Sequence, residues 1–259
     1  MQEKNNKDSF KPSSIIINDN GCTFCSNNDY SFYPFEPNSL SFKTSFKRLI
    51  NEKKINQNKT SIIVADSPAL FIPESLFEYK AIETYYSKFA EIKKNSELFY
   101  NVSENNSKII IYSISERIKE IKNLYLKNSN LIHYQKLIYD FLANQVKNIN
   151  EKNIFANIEE NYFDLFLFFG NKLQLANRFL NKNHESFLYF LFFVAEKYNL
   201  GQDDFFINFL GNYKAFIKYY DGTSLYHKNT KFVTLNNIDK TIRPSSFLVN
   251  LHAHYFRIS

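Results

Sequence analysis

The chain has 259 residues, with 32 Lys and Arg against 26 Asp and Glu, a formal net charge of +6, and 44% apolar residues. That balance suits a globular chain and excludes a disordered one, and the length allows one large domain or two lobes. The N-terminus is too polar for a signal peptide, the longest apolar run (Phe187 to Ala195, nine residues) is too short for a bilayer, and two cysteines make no disulfide framework, so a soluble, cytoplasmic protein is expected.

Residues 1–13 read as a disordered tail. Ser14 to Asn18 is a β-branched run followed by Asp19-Asn20-Gly21, and Asn-Gly is a strong hairpin signal because both turn residues need φ > 0. Cys22 to Asn27 returns antiparallel, and Tyr30 to Phe35 forms a third strand. Ser39 to Lys54 carries Leu40, Phe42, Phe46, Leu49 and Ile50 at helical spacing. Thr60 to Ala65 reads as a buried strand, and Pro73 to Phe89 as a helix with Pro73 in its first turn. The opening is therefore βββαβα.

Glu97 to Val102 and Lys108 to Ser113 are strand candidates, and Ser115 to Leu126 is a helix that Ser115 can cap. Leu131 to Tyr134 is a short strand and Gln135 to Lys147 a helix. The polar run Lys147 to Asn153 marks a boundary between a first lobe, 14–150, and a second, 151–259. There the pattern restarts with strands Asn153 to Ile158, Tyr162 to Phe169 and Lys172 to Phe179, the last two joined by a Gly170-Asn171 turn. A helix (Asn183 to Tyr198), a strand (Phe205 to Leu210) and a helix (Asn212 to Tyr220) complete a second βββαβα, repeated in element order and not in residue identity. Lys231 to Leu235 reads as a further strand and Pro244 to Leu251 as a short helix.

Two consecutive βββαβα units, each opening on a hairpin, are the organisation of the actin, sugar kinase and Hsp70 superfamily. The opening hairpin, Ile63-Val64-Ala65-Asp66-Ser67-Pro68, Phe163-Asp164-Leu165-Phe166, Phe187-Leu188-Tyr189-Phe190 and His254-Tyr255-Phe256 follow one another in a characteristic order. In that order the chain, from Ser14 onward, resembles a bacterial family known as domain of unknown function thirty-eight twenty-two. The resemblance implies an α/β, two-lobed actin-like ATPase fold (ribonuclease H-like) built from a duplicated βββαβα unit. It implies no activity.

ATP-hydrolysing members of the superfamily grip the phosphates between two hairpins, using glycines for close backbone approach and an aspartate to organise Mg²⁺. The first pattern, Asp-x-Gly followed by small hydroxyl residues, matches Asp19-Asn20-Gly21-Cys22-Thr23, although an ordinary tight hairpin matches it equally well. The second, Asp-x-Gly-Gly-Gly with a later Asp, falls on Asn157-Ile158-Glu159-Glu160-Asn161 and Asp164. There the metal-organising Asp is replaced by Asn157, the glycines are gone, and two carboxylates would face a triphosphate. The adenosine segment, usually ending in paired glycines, keeps only Gly211.

The expectation is a degenerate, non-hydrolysing binding or scaffolding module with a cleft between Asp19 and Asn157, a protein partner and no cofactor. The alternative is a nucleotide binder or slow ATPase taking Mg-ATP. In that reading Asp19 and Asp164 lie near Mg²⁺, and Gly21, Asn157 and Gly211 lie near the nucleotide. No catalytic or metal-ligating residue is assigned. Cys22 and Cys25 have Cys-x-x-Cys spacing, but zinc needs four ligands, and strand positions three apart point to opposite faces. His252 and His254 read as surface histidines. The basic residues are scattered beside acids, so nucleic acid is not an expected partner. The aromatic run from Phe187 to Tyr198 reads either as the core of its lobe or as a docking surface.

Overall fold

The computed structural model describes residues 13–18, 21–26, 30–34, 39–56, 58, 60–146, 148–211 and 216–233. In chain order the first half comprises β1 (Ser13–Ile17), β2 (Gly21–Cys25), β3 (Tyr30–Pro34), α1 (Ser39–Lys53), β4 (Thr60–Val64), β5 (Ala69–Pro73), α2 (Ile82–Ser87), β6 (Glu97–Val102), β7 (Lys108–Ile114), α3 (Glu116–Tyr125), β8 (Asn130–His133) and α4 (Tyr134–Gln145). The second half comprises β9 (Lys152–Ile158), β10 (Tyr162–Phe169), β11 (Lys172–Leu180), α5 (His184–Lys197), β12 (Phe205–Leu210), α6 (Ile217–Tyr226) and β13 (Thr230–Val233).

The repeat expected from the sequence is present in the sheets. One has the order β3-β2-β1-β4-β8 and the other β11-β10-β9-β12-β13, so the two match strand for strand. In each, the first three strands form an antiparallel meander, and the last two add parallel to the first. Helices pair in the same way: α1 packs on α3, as α5 packs on α6.

The first half differs from the expected βββαβα in one respect. Pro73 to Phe89 is not a continuous helix. Residues Ala69–Pro73 form β5, two single 3-10 turns follow at Glu74–Leu76 and Tyr79–Ala81, and only Ile82–Ser87 is α-helical. Pro73, which lacks an N–H, ends an edge strand of a separate three-stranded sheet, β5-β7-β6, where a missing donor is tolerated. That small sheet is inserted between β4 and β8, and α3 takes the place that the sequence reading gave to 73–89.

Three local expectations change as well. Gly21 is not a turn residue, because β2 begins there and pairs with Pro34 of β3. A Cβ at Gly21 would lie 2.5 Å from the carbonyl oxygen of Tyr33 and 2.7 Å from the Phe32 ring, so close packing by β3 requires the glycine. The last paired helix, expected over 212–220, runs instead from Ile217 to Tyr226. Ser115 does not cap α3: its hydroxyl donates to Asp66 Oδ2 at 3.0 Å. The N-terminal tail (apart from Ser13, which starts β1), Asp19, His252, His254 and the helix expected over 244–251 lie outside the described residues.

Alternation along the strands distributes the core. Ile15, Ile17, Cys22, Phe24, Ile62 and Val64 face α1 and α3, whereas Ile16, Cys25 and Ile63 face the opposite side. In the second sheet Ile154, Ala156, Phe163, Leu165, Leu167 and Ile207 face α5 and α6. Phe155, Phe166 and Phe168 point the other way, into the same cluster as Ile16, Cys25 and Ile63. Between these two inner faces lies α4, with Leu137, Ile138, Tyr139, Phe141 and Leu142 buried around its circumference. A helix buried on most of its surface has to be enclosed, and each buried large side chain here contributes about 1.5–3 kcal/mol.

α5 is started by a capping box in which Asn183 accepts from the Ser186 amide at 2.8 Å, and the Ser186 hydroxyl accepts from the Asn183 amide at 3.2 Å. Its Phe187, Leu191, Val194 and Ala195 are core, while Tyr189 and Phe193 are exposed and stack on each other. Among the described residues no helix is long and apolar enough to cross a membrane.

Candidate functional site

The sequence-predicted residues of the second hairpin come together as one row across three strands. Asp164 on β10 faces Asn157 on β9 and Arg178 on β11. Period-two alternation puts this row on the α4 side, since Asp164 shares parity with Phe166 and Phe168, which pack against α4. Gly211 follows Leu210, the β12 residue paired with Asn157, and holds φ at +114°, where glycine is favoured. Gly21 lies at the start of β2 in the other sheet, where its amide donates to Asn18 Oδ1 at 2.8 Å and so serves the hairpin itself.

Asp164 is fully buried, and donors occupy both of its oxygens. Oδ1 accepts from Gln135 Nε2 at 2.7 Å and Arg178 Nε at 3.4 Å. Oδ2 accepts from the Tyr134 hydroxyl at 2.6 Å and Asn157 Nδ2 at 3.1 Å. A carboxylate has about four acceptor positions, and all are used here. Tyr134 and Gln135 are the first two residues of α4, so the carboxylate also sits at the positive end of that helix.

Burial pushes the Asp164 pKa upward, against the opposing pull of the Arg178 charge and of the hydrogen bonds from Tyr134, Asn157 and Gln135. Burial alone would lower Arg178, but Tyr134, Asp164 and Tyr162 outweigh it and hold the guanidinium firmly protonated. Burial likewise raises the Tyr134 hydroxyl well above the ordinary tyrosine range. Asn157 is fully buried too, and its Oδ1 has no hydrogen-bond partner among the described residues.

One further layer holds α4 in place. His133, the residue before it, accepts from the Gln135 amide through Nδ1 at 3.3 Å. Its Nε2 lies 2.9 Å from the Ser67 carbonyl oxygen, which makes Nε2–H the donor. Burial, followed by the Arg178 charge, lowers His133 to about 3 against the pull of the Ser67 bond, so the ring is neutral.

Sequence reasoning located Asn157 and Asp164 but missed Arg178, Tyr134, Gln135 and His133. For Arg178 a signal existed: it is the one arginine of β11, and the β10–β11 hairpin register sets it directly opposite Asp164. For the α4 residues there was none, because nothing local says that the start of that helix meets β10. The two cysteines behave as the alternation argument required. Cys22 and Cys25 are buried on opposite faces of β2, one in each of its flanking cores.

Two cavities lined by described residues lie beside other parts of the fold. One of about 320 Å³ is lined by Asp66, Pro68, Tyr86, Lys93 and Ser115. Another, of about 470 Å³, opens beside α5 and is lined by Phe192, Ala195, Leu200, Tyr226 and His227. Among the described residues no group of three or more His, Cys, Asp or Glu side chains is arranged to hold a metal ion.

Comparison with known proteins agrees with this architecture. The family model described as "Protein of unknown function (DUF3822)" matches residues 3–230. A crystal structure from Bacteroides thetaiotaomicron, described as a protein with actin-like ATPase fold and unknown function, superposes with a TM-score of 0.76 at 19% identity, covering 93% of this chain and 95% of that one. The PilM–PilN type IV pilus biogenesis complex gives a TM-score of 0.49 at 9% identity, covering 86% of this chain and 88% of that one. The cytoplasmic domain of EpsL, an inner membrane component of the type II secretion system of Vibrio cholerae, gives 0.44 at 6%, with 96% and 95% covered. A search of curated proteins gives no match. The fold is the actin-like ATPase fold.

Proposed function

We propose, for a chain that belongs to the DUF3822 family of unknown function and has the actin-like ATPase fold, that it is a non-hydrolysing binding or scaffolding module of the bacterial cytoplasm. The observation that carries this reading is the state of Asp164. It is the only carboxylate that the second-hairpin pattern retains, and Tyr134, Gln135, Asn157 and Arg178 use all of its acceptor positions. Octahedral Mg²⁺ is held through carboxylate oxygens and waters, and binding it here would require breaking an Arg–Asp pair away from solvent.

Two other features support the same reading. Asn157 supplies an amide where the superfamily pattern has a carboxylate, and the β9–β10 turn carries Glu159 and Glu160 in place of glycines. Tyr189 and Phe193 on α5, 63% and 40% exposed, give the second half an aromatic outer face of the kind used in protein contacts.

The test is a calorimetric titration of the full chain with Mg-ATP and Mg-ADP, beside a dye-monitored melt. No saturable heat at millimolar nucleotide is the expected result. A ligand present at 100 times its dissociation constant would add about 2.7 kcal/mol, so a true binder would also shift the melt. Saturable heat that Asp19→Ala abolishes would replace this reading with nucleotide binding in the cleft.

A further inference from the structure

We propose that Arg178 is a latch that fixes the two five-stranded sheets in one relative orientation, so that the protein acts as a single rigid body and not as two hinged halves. This goes beyond the functional reading above and does not depend on whether nucleotide binds.

The guanidinium belongs to β11 in the second sheet but makes contacts on both sides of the molecule. Nε pairs with Asp164 of its own sheet at 3.4 Å. Nη2 donates across to the Ala65 carbonyl at 3.3 Å and to the Tyr134 hydroxyl of α4 at 2.6 Å. Ala65 is itself fixed, since its amide donates to the Ile17 carbonyl of β1 at 2.8 Å. The guanidinium carbon lies 3.7 Å from the centre of the Tyr162 ring and 5.0 Å from that of Tyr134, so the planar group is held on its faces as well as at its edges.

Gln135 provides a parallel tie. Its Oε1 accepts from the Ala69 amide at the start of β5, and its Nε2 donates to Asp164. Phe71 of β5 meets Phe166 of β10 edge-on at 6.4 Å, so apolar packing runs beside the polar contacts. A hinge motion that parted Ala65 from β11 would break the Arg178 bond to the Ala65 carbonyl beside the fully buried Asp164. Such an opening is costly because a buried guanidinium would give up an acceptor that water does not replace while the site stays dry.

Hydrogen exchange read by mass spectrometry on the full chain tests the latch, using Arg178→Leu, Arg178→Lys and a control, Leu191→Ala, which weakens the α5 core away from the row. In Arg178→Leu, amides of 65–69 and 134–138 should exchange at least about tenfold faster, the loss expected for one charged hydrogen bond. Amides in the middle of β1 and β9 should keep their protection, and the radius of gyration from small-angle scattering should rise. Arg178→Lys keeps the charge without the planar fork and should show the same local pattern at smaller size. It also stands in if the leucine variant fails to fold. Exchange that rises evenly along the chain, as in Leu191→Ala, or that does not change at all, would overturn the latch.

Discussion

Asn157 and Asp164 lie opposite each other on β9 and β10, and the amide of the first donates to the carboxylate of the second at 3.1 Å. The pairing is asymmetric: the Asn157 Nδ2 is used and its Oδ1 is buried without a partner among the described residues. An amide here lets the row carry one negative charge beside Arg178 instead of two.

That asymmetry predicts the outcome of Asn157→Asp, the change that places a second acid opposite Asp164. Two carboxylates about 4 Å apart repel by about 4 kcal/mol at an effective dielectric near 20. The variant should therefore melt several degrees lower at pH 7. The deficit should shrink on acidification, because the introduced carboxyl imitates the amide once it is protonated. Melting curves at pH 7 and pH 5 check this. A variant that instead gained Mg-ATP binding with unchanged stability would show that an acid at this position suffices for nucleotide binding.

His133 gives a pH dependence of definite sign. Its folded pKa is lowered from 6.5 to about 3, so between those values the unfolded chain binds a proton that the folded chain refuses. The stability it contributes is complete above pH 6.5 and is lost as pH falls, by up to about 1.4 kcal/mol per pH unit. His133→Asn keeps an acceptor for the Gln135 amide at the helix start but cannot take up that proton. It should be less stable than the parent at pH 7 and show a shallower loss between about pH 6.5 and pH 4, read from denaturant midpoints at each pH.

The cysteines should be chemically silent in the folded protein. Cys22 and Cys25 are buried, and burial pushes the Cys22 thiol up to about 12. The thiolate is the reactive form, so an aromatic disulfide reagent at pH 8 should label neither until the chain unfolds. Rapid labelling of one thiol in native buffer would contradict the packing on one face of β2.

Asn101 seals an open edge. Its Nδ2 donates to the Leu131 carbonyl at 3.0 Å and its Oδ1 accepts from the His133 amide at 2.8 Å, so one side chain from β6 satisfies backbone groups on the outer side of β8, the edge strand of its sheet among the described residues. Asn101→Ala should cost about 1–3 kcal/mol, with the fastest new hydrogen exchange at His133.

Local elements and their repetition were legible in the order of residues alone. The strands read over 153–158, 162–169 and 172–179 fall closely on β9, β10 and β11, the helix read from Asn183 is α5, and the order of strands and helices implied a duplicated fold. These are short-range matters of period, capping and turn chemistry. Pro73 misled for the same reason, because a proline suits both the first turn of a helix and the end of an edge strand, and the choice depends on whether β7 lies alongside.

Which groups meet across the centre depends on how the elements pack. Arg178 reaches the Ala65 carbonyl over 113 residues of chain, and Asp164 meets Tyr134 and Gln135 over 30 and 29. Alternation tells which side of β10 an aspartate faces but not what stands there. Packing α4 between the two sheets brings its first residues to Asp164, and burial then makes each of these polar groups depend on the others for hydrogen bonds that water would otherwise supply.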